Sequence, residues 1–435
     1  METPATGERT YLPDMDFLCR PFELETSCRE RIASAGKTLV VLLRKFRRLY
    51  VEALRRNEES TLSLLESGVL KNKQIRTLHR ASVSGGGKFP LILRADMPAP
   101  GKMVEFHVGF RGLGHLHCFR RDLGKYYDEK SLRERKNSCR WMQEFKRKIG
   151  QKSKDVYFYT PSPRFKESAY LAGKIFDGRL QELEGVLPRG FSKKIKNEDN
   201  RTCLLQPSSR HLYDKIRRKG PLGGSGPFSR FFDCEGKIIA GLEAAGRMVI
   251  EPSLNLLFEQ KILSALVYES EFYGLFTDEE RELFPRTYLI KNKTNMGFPG
   301  VRRIEDIAEL PERRRKFVLK YAGLDLDINC RSRAVYRLSE LSQRKTREML
   351  KKALLDYENF REPWIIQEDV SAKENIEYFD RKDKQIKSGS YYRLFRPYFF
   401  SEGKNGQTEL IDIAVIFRKK FKVHKQNDSV YGIAN

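Results

Sequence analysis

The sequence predicts an α+β fold, with helices first and an antiparallel sheet last. Three observations carry this. Residues 29–57 place Ile32, Leu39, Leu43, Phe46, Tyr50 and Leu54 on one helical stripe, with Arg and Lys opposite. Residues 155–250 mix short apolar runs with helical stretches. The C-terminal segments 376–380, 391–400, 409–418 and 421–424 alternate apolar and polar residues with the period of two expected of antiparallel strands. Helical runs and strand runs are segregated along the chain, which favours an α+β arrangement. Three regions follow: 1–90, helical; 91–300, central α/β with a hairpin at its start; and 301–435, ending in the antiparallel sheet.

The elements are justified in chain order. After the helix at 29–57, residues 60–80 read as a second helix, and Ser82–Gly87 as a glycine-rich break. A strand pair occupies 91–108, and a basic helical stretch 129–149. Val156–Thr160 is a strand ending at Pro161, Phe165–Leu183 a helix, Thr202–Leu205 a strand and Leu212–Lys219 a short helix. The stretch GPLGGSGP, 220–227, is a loop. Gly236–Ala245 reads as a helix or as a strand plus helix, and Met248–Ile250 as a buried strand. The apolar density of LNLLFEQKILSALVYE, 254–269, predicts one strong helix. TYLI, 287–290, follows Pro285 as a strand. Ile304–Leu310 is a short helix, 316–323 and 334–338 are strands, Ser339 caps a helix at 340–358, and WIIQEDV, 364–370, is a strand.

Lys and Arg number 83 against 58 Asp and Glu, a net charge of +25. That balance raises a polyanion partner. The basic residues are spread over Arg44–Arg48, Lys193–Lys196, Arg217–Lys219, Arg313–Lys316 and Arg418–Lys422, mostly beside acidic neighbours, so solvated faces account for them as well. The aromatic–basic interleaving of an RNA module is absent, which argues against nucleic acid. The cysteines number seven, scattered and without a C-x-x-C pair, as expected of reduced thiols in the cytoplasm. No apolar run approaches the roughly 18 residues of a membrane helix, and the first residues do not read as a secretory signal.

The chemistry concentrates at LILRADMPAPGKMVEFHVGFRGLGHLH, residues 91–117. Folded as a hairpin, strands 91–96 and 103–108 set Asp96 opposite Glu105 and Arg94 opposite His107, with all four on one face. Facing carboxylates repel unless a cation lies between them. A hard cation such as Mg²⁺ takes carboxylate oxygens and bridges to phosphates, and Arg94 would neutralise a further negative charge. The same four residues also fit the solvated face of an ordinary hairpin. His107, His115 and His117 invite a zinc reading, but no open three-ligand geometry follows from their spacing.

In its order of motifs the chain resembles the circularly permuted ATP-grasp proteins, the group that includes the synthetase half of glutathionylspermidine synthase. FLCRPFEL (17–24) is similar to that group's opening Arg-Pro segment, and RAD…EFH (94–107) to its R-x-D…E-x-N metal and phosphate motif. RGLG (111–114) resembles the following glycine turn. EPSLNLLFEQKILSAL (251–266) resembles a lysine-bearing loop and helix, and FPRTYLI (284–290) the next strand. FVLKYAG (317–323) resembles the V-L-K strand, WIIQEDV the strand lining the adenine site, and FKVHKQNDSVYGIAN (421–435) the ending.

The resemblance implies an ATP-grasp fold that binds ATP and Mg²⁺, with residues 301–435 supplying a lid. The implied activity is a carboxylate–amine ligase working through an acyl-phosphate, its carboxylate and amine substrates unnamed. Asp96, Glu105 and His107 would hold metal, and Arg94 would contact phosphate or the acyl-phosphate. Lys261 and Lys320 would bind the nucleotide, with Gln367 and Glu368 on the adenine side. Arg393 or Arg396, in YYRLFRPYFF, would be the late arginine near the reacting centre. Lys261, Lys320, Gln367 and Glu368 each also fit an ordinary surface or strand-end position, and both arginines a structural role.

Two departures stand out. His107 occupies a position that is usually Asn, and imidazole prefers softer metals than Mg²⁺. After Lys320 only Gly323 remains of a glycine-rich loop, with Asn329, Arg331, Ser332 and Arg333 as side-chain substitutes. These departures motivate a second reading, a degenerate ATP-grasp scaffold that binds a nucleotide or partner without ligating. A basic nucleic-acid-binding protein is the third.

Overall fold

The computed structural model describes residues 16–67, 73–84, 88–110, 112–123, 135–150, 155–160, 166–176, 180–184, 202–206, 241–243, 245–253, 255–291, 301–323, 334–403, 406–421 and 429–434. The predicted helix at 212–219, the loop at 220–227, residues 236–240 and most of the strand at 421–424 lie outside them.

Helix α1 (Thr26–Arg56) buries the stripe Ile32, Leu39, Leu43, Phe46 and Tyr50, and adds Val40 and Leu42. Gly36 lets it lie directly on a strand, because a methyl there would overlap the ring of Phe399. The single helix expected at 60–80 is instead two, α2 (Glu59–Leu65) and α3 (Lys73–Ser84). The chain turns around Glu66, which is fully buried. Its carboxylate accepts Tyr50 Oη of α1 at 2.5 Å and Arg80 of α3 at 2.7 and 2.9 Å. One continuous helix could not leave that side chain between both neighbours.

Among the described residues, three sheets follow. The largest has seven strands in the order β12-β1-β15-β14-β13-β2-β3. Its strands are β1 (Asp16–Leu18), β2 (Ile92–Asp96), β3 (Glu105–Val108), β12 (Lys373–Asp380), β13 (Gln385–Phe400), β14 (Glu409–Arg418) and β15 (Ser429–Ile433). The predicted strand at 391–400 extends back to 385, because β12 pairs with it from Lys373↔Tyr392 to Asp380↔Gln385. Strands β1 and β15 were not anticipated; each is short, and they pair in parallel with one another. The sheet therefore joins the first, central and last parts of the chain.

The second sheet is parallel, in the order β5-β4-β6-β7, from β4 (Asp155–Thr160), β5 (Leu180–Glu184), β6 (Thr202–Leu205) and β7 (Met248–Glu251). The helix expected over 165–183 is shorter: α6 (Lys166–Ile175) ends and the chain re-enters as β5. The turn dipeptide Asp177-Gly178 was the available signal. Strand β5 reads LQELE because it is an edge strand, where polar side chains meet solvent. Helices α4 (Leu113–Leu123) and α5 (Arg135–Gly150) complete this part. Gly114 permits the close crossing of α4 and α6, since a methyl there would overlap the Glu167 carbonyl and stand 2.5 Å from Ser168 Cα. Neither atom can rotate away, so Gly114→Ala is expected to cost about 1–3 kcal/mol, read as a lower denaturation midpoint in urea.

The segment 254–269 is not one helix. It forms a 3₁₀ turn, Leu256–Glu259, extended backbone at Gln260, and a short helix, Leu263–Leu266. The described residues Asn255–Val267 are buried throughout. Helical periodicity was absent because every side meets protein. The local polar groups hold the bends instead: Asn255 Oδ1 accepts Leu257 N–H at 2.9 Å, and Gln260 Nε2 donates to Leu65 O at 2.8 Å.

The third sheet, β10-β9-β11-β8, is antiparallel, from β8 (Thr287–Leu289), β9 (Phe317–Tyr321), β10 (Val335–Arg337) and β11 (Trp364–Glu368). The helix Gln343–Phe360 packs Met349, Leu350, Ala353 and Leu354 into its core. Its N-cap is Ser342, whose Oγ accepts Lys345 N–H at 3.3 Å. Ser339, the expected cap, lies in the preceding 3₁₀ turn Leu338–Glu340, in which Leu338 is fully buried.

Candidate functional site

Two cross-strand rows run over the face of β13, β2 and β3. The β2–β3 register sets Arg94 opposite His107 and Asp96 opposite Glu105, as the hairpin reading expects. On the other side, Tyr398 of β13 pairs with Arg94, and the same register carries Met97 opposite Phe395. Arg396 consequently lies across from Asp96. One row is Tyr398–Arg94–His107 and the other is Arg396–Asp96–Glu105. A ladder spacing of about 5 Å brings both rows into contact range.

The face is not solvated: Arg94, Asp96 and His107 are 6%, 7% and 6% exposed. Arg396 holds Asp96 through two bonds, Nε to Oδ1 at 3.0 Å and Nη2 to Oδ2 at 3.3 Å. Arg94 Nε is 3.4 Å from Asp96 Oδ1. Glu105 Oε1 lies 3.4 Å from His107 Nε2 and 3.5 Å from Lys261 Nζ. Burial alone would push the Asp96 carboxyl up, but Arg396 and Arg94 outweigh it and hold the group well below the usual carboxylate range. Asp96, Glu105 and His107 each present a ligand atom within 4.8 Å of the others. Two carboxylates and an imidazole around one point are a donor set that fits a divalent cation.

The third sheet brings a lysine to the same place. Lys320 of β9 is buried and donates to Gln367 Oε1 at 2.5 Å. It also reaches Val104 O, just before β3, at 3.4 Å. Gln367 Nε2 donates to Thr287 Oγ1 at 2.8 Å, which fixes the amide orientation. Lys261 is buried on the segment between the two sheets and pairs with Glu105. Burial, and then the neighbouring charge of Lys261, pull the Lys320 ammonium down to about 8. Two buried cations acting on one another favour an anion between them.

The structure thus brings together Arg94, Asp96, Glu105, His107, Lys261, Lys320, Gln367 and Arg396. It does not bring Arg393 or Glu368 to the same cluster. Arg393 lies on the other face of β13, bonded to Glu374 Oε2 at 2.6 Å and over the Phe395 ring. Glu368 lies on the other face of β11 from Gln367 and accepts Arg286 N–H at 3.4 Å. The substitutes proposed for the glycine loop, Asn329, Arg331, Ser332 and Arg333, lie outside the described residues.

His115 and His117 belong to α4 and do not join the metal donors. His115 stacks on Phe119 with centroids 6.5 Å apart and meets Tyr431 edge-on. Burial pushes both imidazoles down, helped by Arg396 at His115 and by Arg121 at His117, so they pack as neutral rings. Among the described residues, Asp96, Glu105 and His107 form the only such donor group, which removes the three-histidine zinc arrangement.

Sequence reasoning missed Tyr398 and Arg418. Tyr398 shares the Arg396 face by simple alternation, and its hydroxyl lies where a methyl on Gly112 (φ +84°) would stand 2.6 Å away. That contact explains the glycine after Arg111. Arg418, on β14, is pulled down to about 10 by burial and then by Arg396. Only the β13–β14 pairing reveals it.

No family model matches the sequence, and no curated protein is significantly similar to it. Among solved structures, a glutathione synthetase-like effector from Globodera pallida is similar with a TM-score of 0.51, at 12% identity, over 97% of this chain and 90% of that one. The likeness is one of fold, mixed α/β. No helix among the described residues is long and apolar enough to cross a membrane.

Proposed function

We propose that the chain is a circularly permuted ATP-grasp ligase of the cytoplasm, joining a carboxylate to an amine at the expense of ATP. One observation carries the reading. The donor triad Asp96, Glu105 and His107 lies beside two buried lysines, Lys261, 3.5 Å from Glu105, and Lys320, whose charge acts on Lys261 and Glu105. Cation donors and ammonium groups gathered at one place suit a metal–polyphosphate. Mg-ATP, when bound, supplies the phosphoryl group that turns a carboxylate into an acyl-phosphate, from which an amine displaces phosphate.

The chain's own residues have separable tasks. Asp96, Glu105 and His107 hold the metal. Lys261 and Lys320 neutralise phosphate oxygens, and Gln367, pinned by Thr287, orients Lys320. Arg94 stabilises negative charge at transfer, while Arg396 fixes the Asp96 carboxylate. The test is ADP release from Mg-ATP across pooled amino acids and amines. ADP formed only when a carboxylate and an amine are both present supports ligation.

A second reading draws on one specific contact. Arg396 already grips Asp96 bidentately, so a cationic side chain compensates the charge that a metal would compensate. A scaffold that binds nucleotide without turnover would show this. Nucleotide binding with no ADP release under any pool selects it.

The imidazole of His107 makes a further expectation. His107→Asn should tighten Mg²⁺ on the order of tenfold and weaken Mn²⁺, measured by calorimetry with each ion. An unchanged Mg²⁺ to Mn²⁺ ratio would remove His107 from the donor set.

A further inference from the structure

The outer face of α1 carries a second basic feature, well apart in sequence from the cleft residues. Arg44, Arg47, Arg48, Val51, Glu52 and Arg55 recur at helical spacing and line a groove of about 650 Å³ together with Phe89 and Glu402. Arg44 to Arg55 spans about 16 Å along the helix axis. The volume falls within the roughly 300–1,000 Å³ of small-ligand sites.

Four details point to an anion. Among the described residues, none of the four guanidiniums pairs closely with a carboxylate. Glu402, on the far wall, is already taken by Lys148 at 2.8 Å, so it contributes little negative charge to the groove. The Arg44 guanidinium lies 5.3 Å over the Phe89 ring, which sets one donor fork in place. Arg47 is half-buried, and burial pulls its guanidinium below the usual value against a weaker pull from Glu243. A partly desolvated cation without a close counterion gains from one supplied by a ligand.

We infer that this groove binds a compact anion carrying two or more phosphate groups, held by Arg44, Arg47, Arg48 and Arg55. Guanidinium forks match phosphate oxygens bidentately, and several along one helix suit adjoining phosphates. Glu52 lies within the same row and opposes the ligand, which limits affinity. The site is independent of the proposed nucleotide cleft.

The test uses the full chain, with inorganic tripolyphosphate as probe and a short single-stranded RNA as the comparison. Binding of tripolyphosphate to wild type is expected to fall by at least about tenfold in the Arg48→Ala/Arg55→Ala double variant, since two charge-assisted contacts go. Both positions are exposed on α1, so the fold should persist, and a circular dichroism melt checks it. Glu52→Gln should tighten the probe. In a Lys320→Met background, which removes the phosphate contact of the proposed nucleotide site, the double variant should still lower tripolyphosphate binding by that factor. A double variant that binds like wild type overturns the inference. So does probe binding that Lys320→Met abolishes outright, which would assign all of it to the nucleotide site. RNA binding that falls with salt but ignores the double variant, with no tripolyphosphate binding, would assign the charge to a diffuse polyanion surface and overturn it too.

Discussion

Asp96→Asn is expected to reduce metal-dependent ADP release by about a hundredfold or more, because it removes the central donor and the charge that positions the phosphates. It should also destabilise the chain. Buried Arg94 and part-buried Arg396 would lose their Asp96 counterion, and breaking a fully buried pair costs about 3–5 kcal/mol, the upper bound here. The pH dependence follows from the depressed carboxyl. A carboxylate lowered in the folded state stabilises it above the ordinary value of 3.8, and that contribution is lost as pH falls below it. The variant should therefore lose part of the wild type's acid-denaturation slope. Glu105→Gln separates activity from stability. Glu105 is more exposed than Asp96, so its loss should cost less stability than Asp96→Asn yet still impair turnover. Undiminished ADP release in both variants would sink the metal assignment.

Lys320→Met should abolish nucleotide binding while leaving the fold at neutral pH as stable as, or more stable than, wild type. The ammonium is held in a buried site beside Lys261, where it titrates near 8 rather than 10.5. A buried cation costs stability below its folded pKa. From about 8 to 10.5 the folded chain has released the proton while the unfolded chain keeps it, so wild-type stability rises with pH across that window. The methionine variant should be flat there. Nucleotide affinity has the opposite sense: it needs the charged ammonium and should weaken as pH rises through about 8. Binding near pH 8 should also take up a proton, which calorimetry in buffers of different ionisation enthalpy would read. Nucleotide affinity that is pH-independent and survives the substitution would place the lysine outside the site.

The hairpin was the most legible part. Alternation and a tight turn set its register, and Asp96↔Glu105 and Arg94↔His107 follow from counting. The helix at 343–360 was nearly as plain, because one face is buried and one is solvated, and strand β9, buried throughout, read as a short apolar run bounded by a turn. Legibility failed where burial is all-sided. The segment 254–269 presents apolar residues in every direction, and composition cannot tell a buried helix from a buried bent chain. It also failed for short pairing strands such as β1 and β15, whose stability comes from partners far along the chain.

By itself the sequence determined the local chemistry: which carboxylates face one another, which strands bear lysines, and the α+β order of elements. These depend on contacts a few residues apart. Only the tertiary structure decided that the hairpin face is buried rather than solvated, that Arg396 and not Arg393 meets Asp96, and that Lys261 and Lys320 come beside Glu105. Those outcomes rest on β13 pairing with β2 some 300 residues away and on a third sheet closing over β3. A period-two pattern records which side of a strand a residue occupies, and it carries no record of what comes to cover that side.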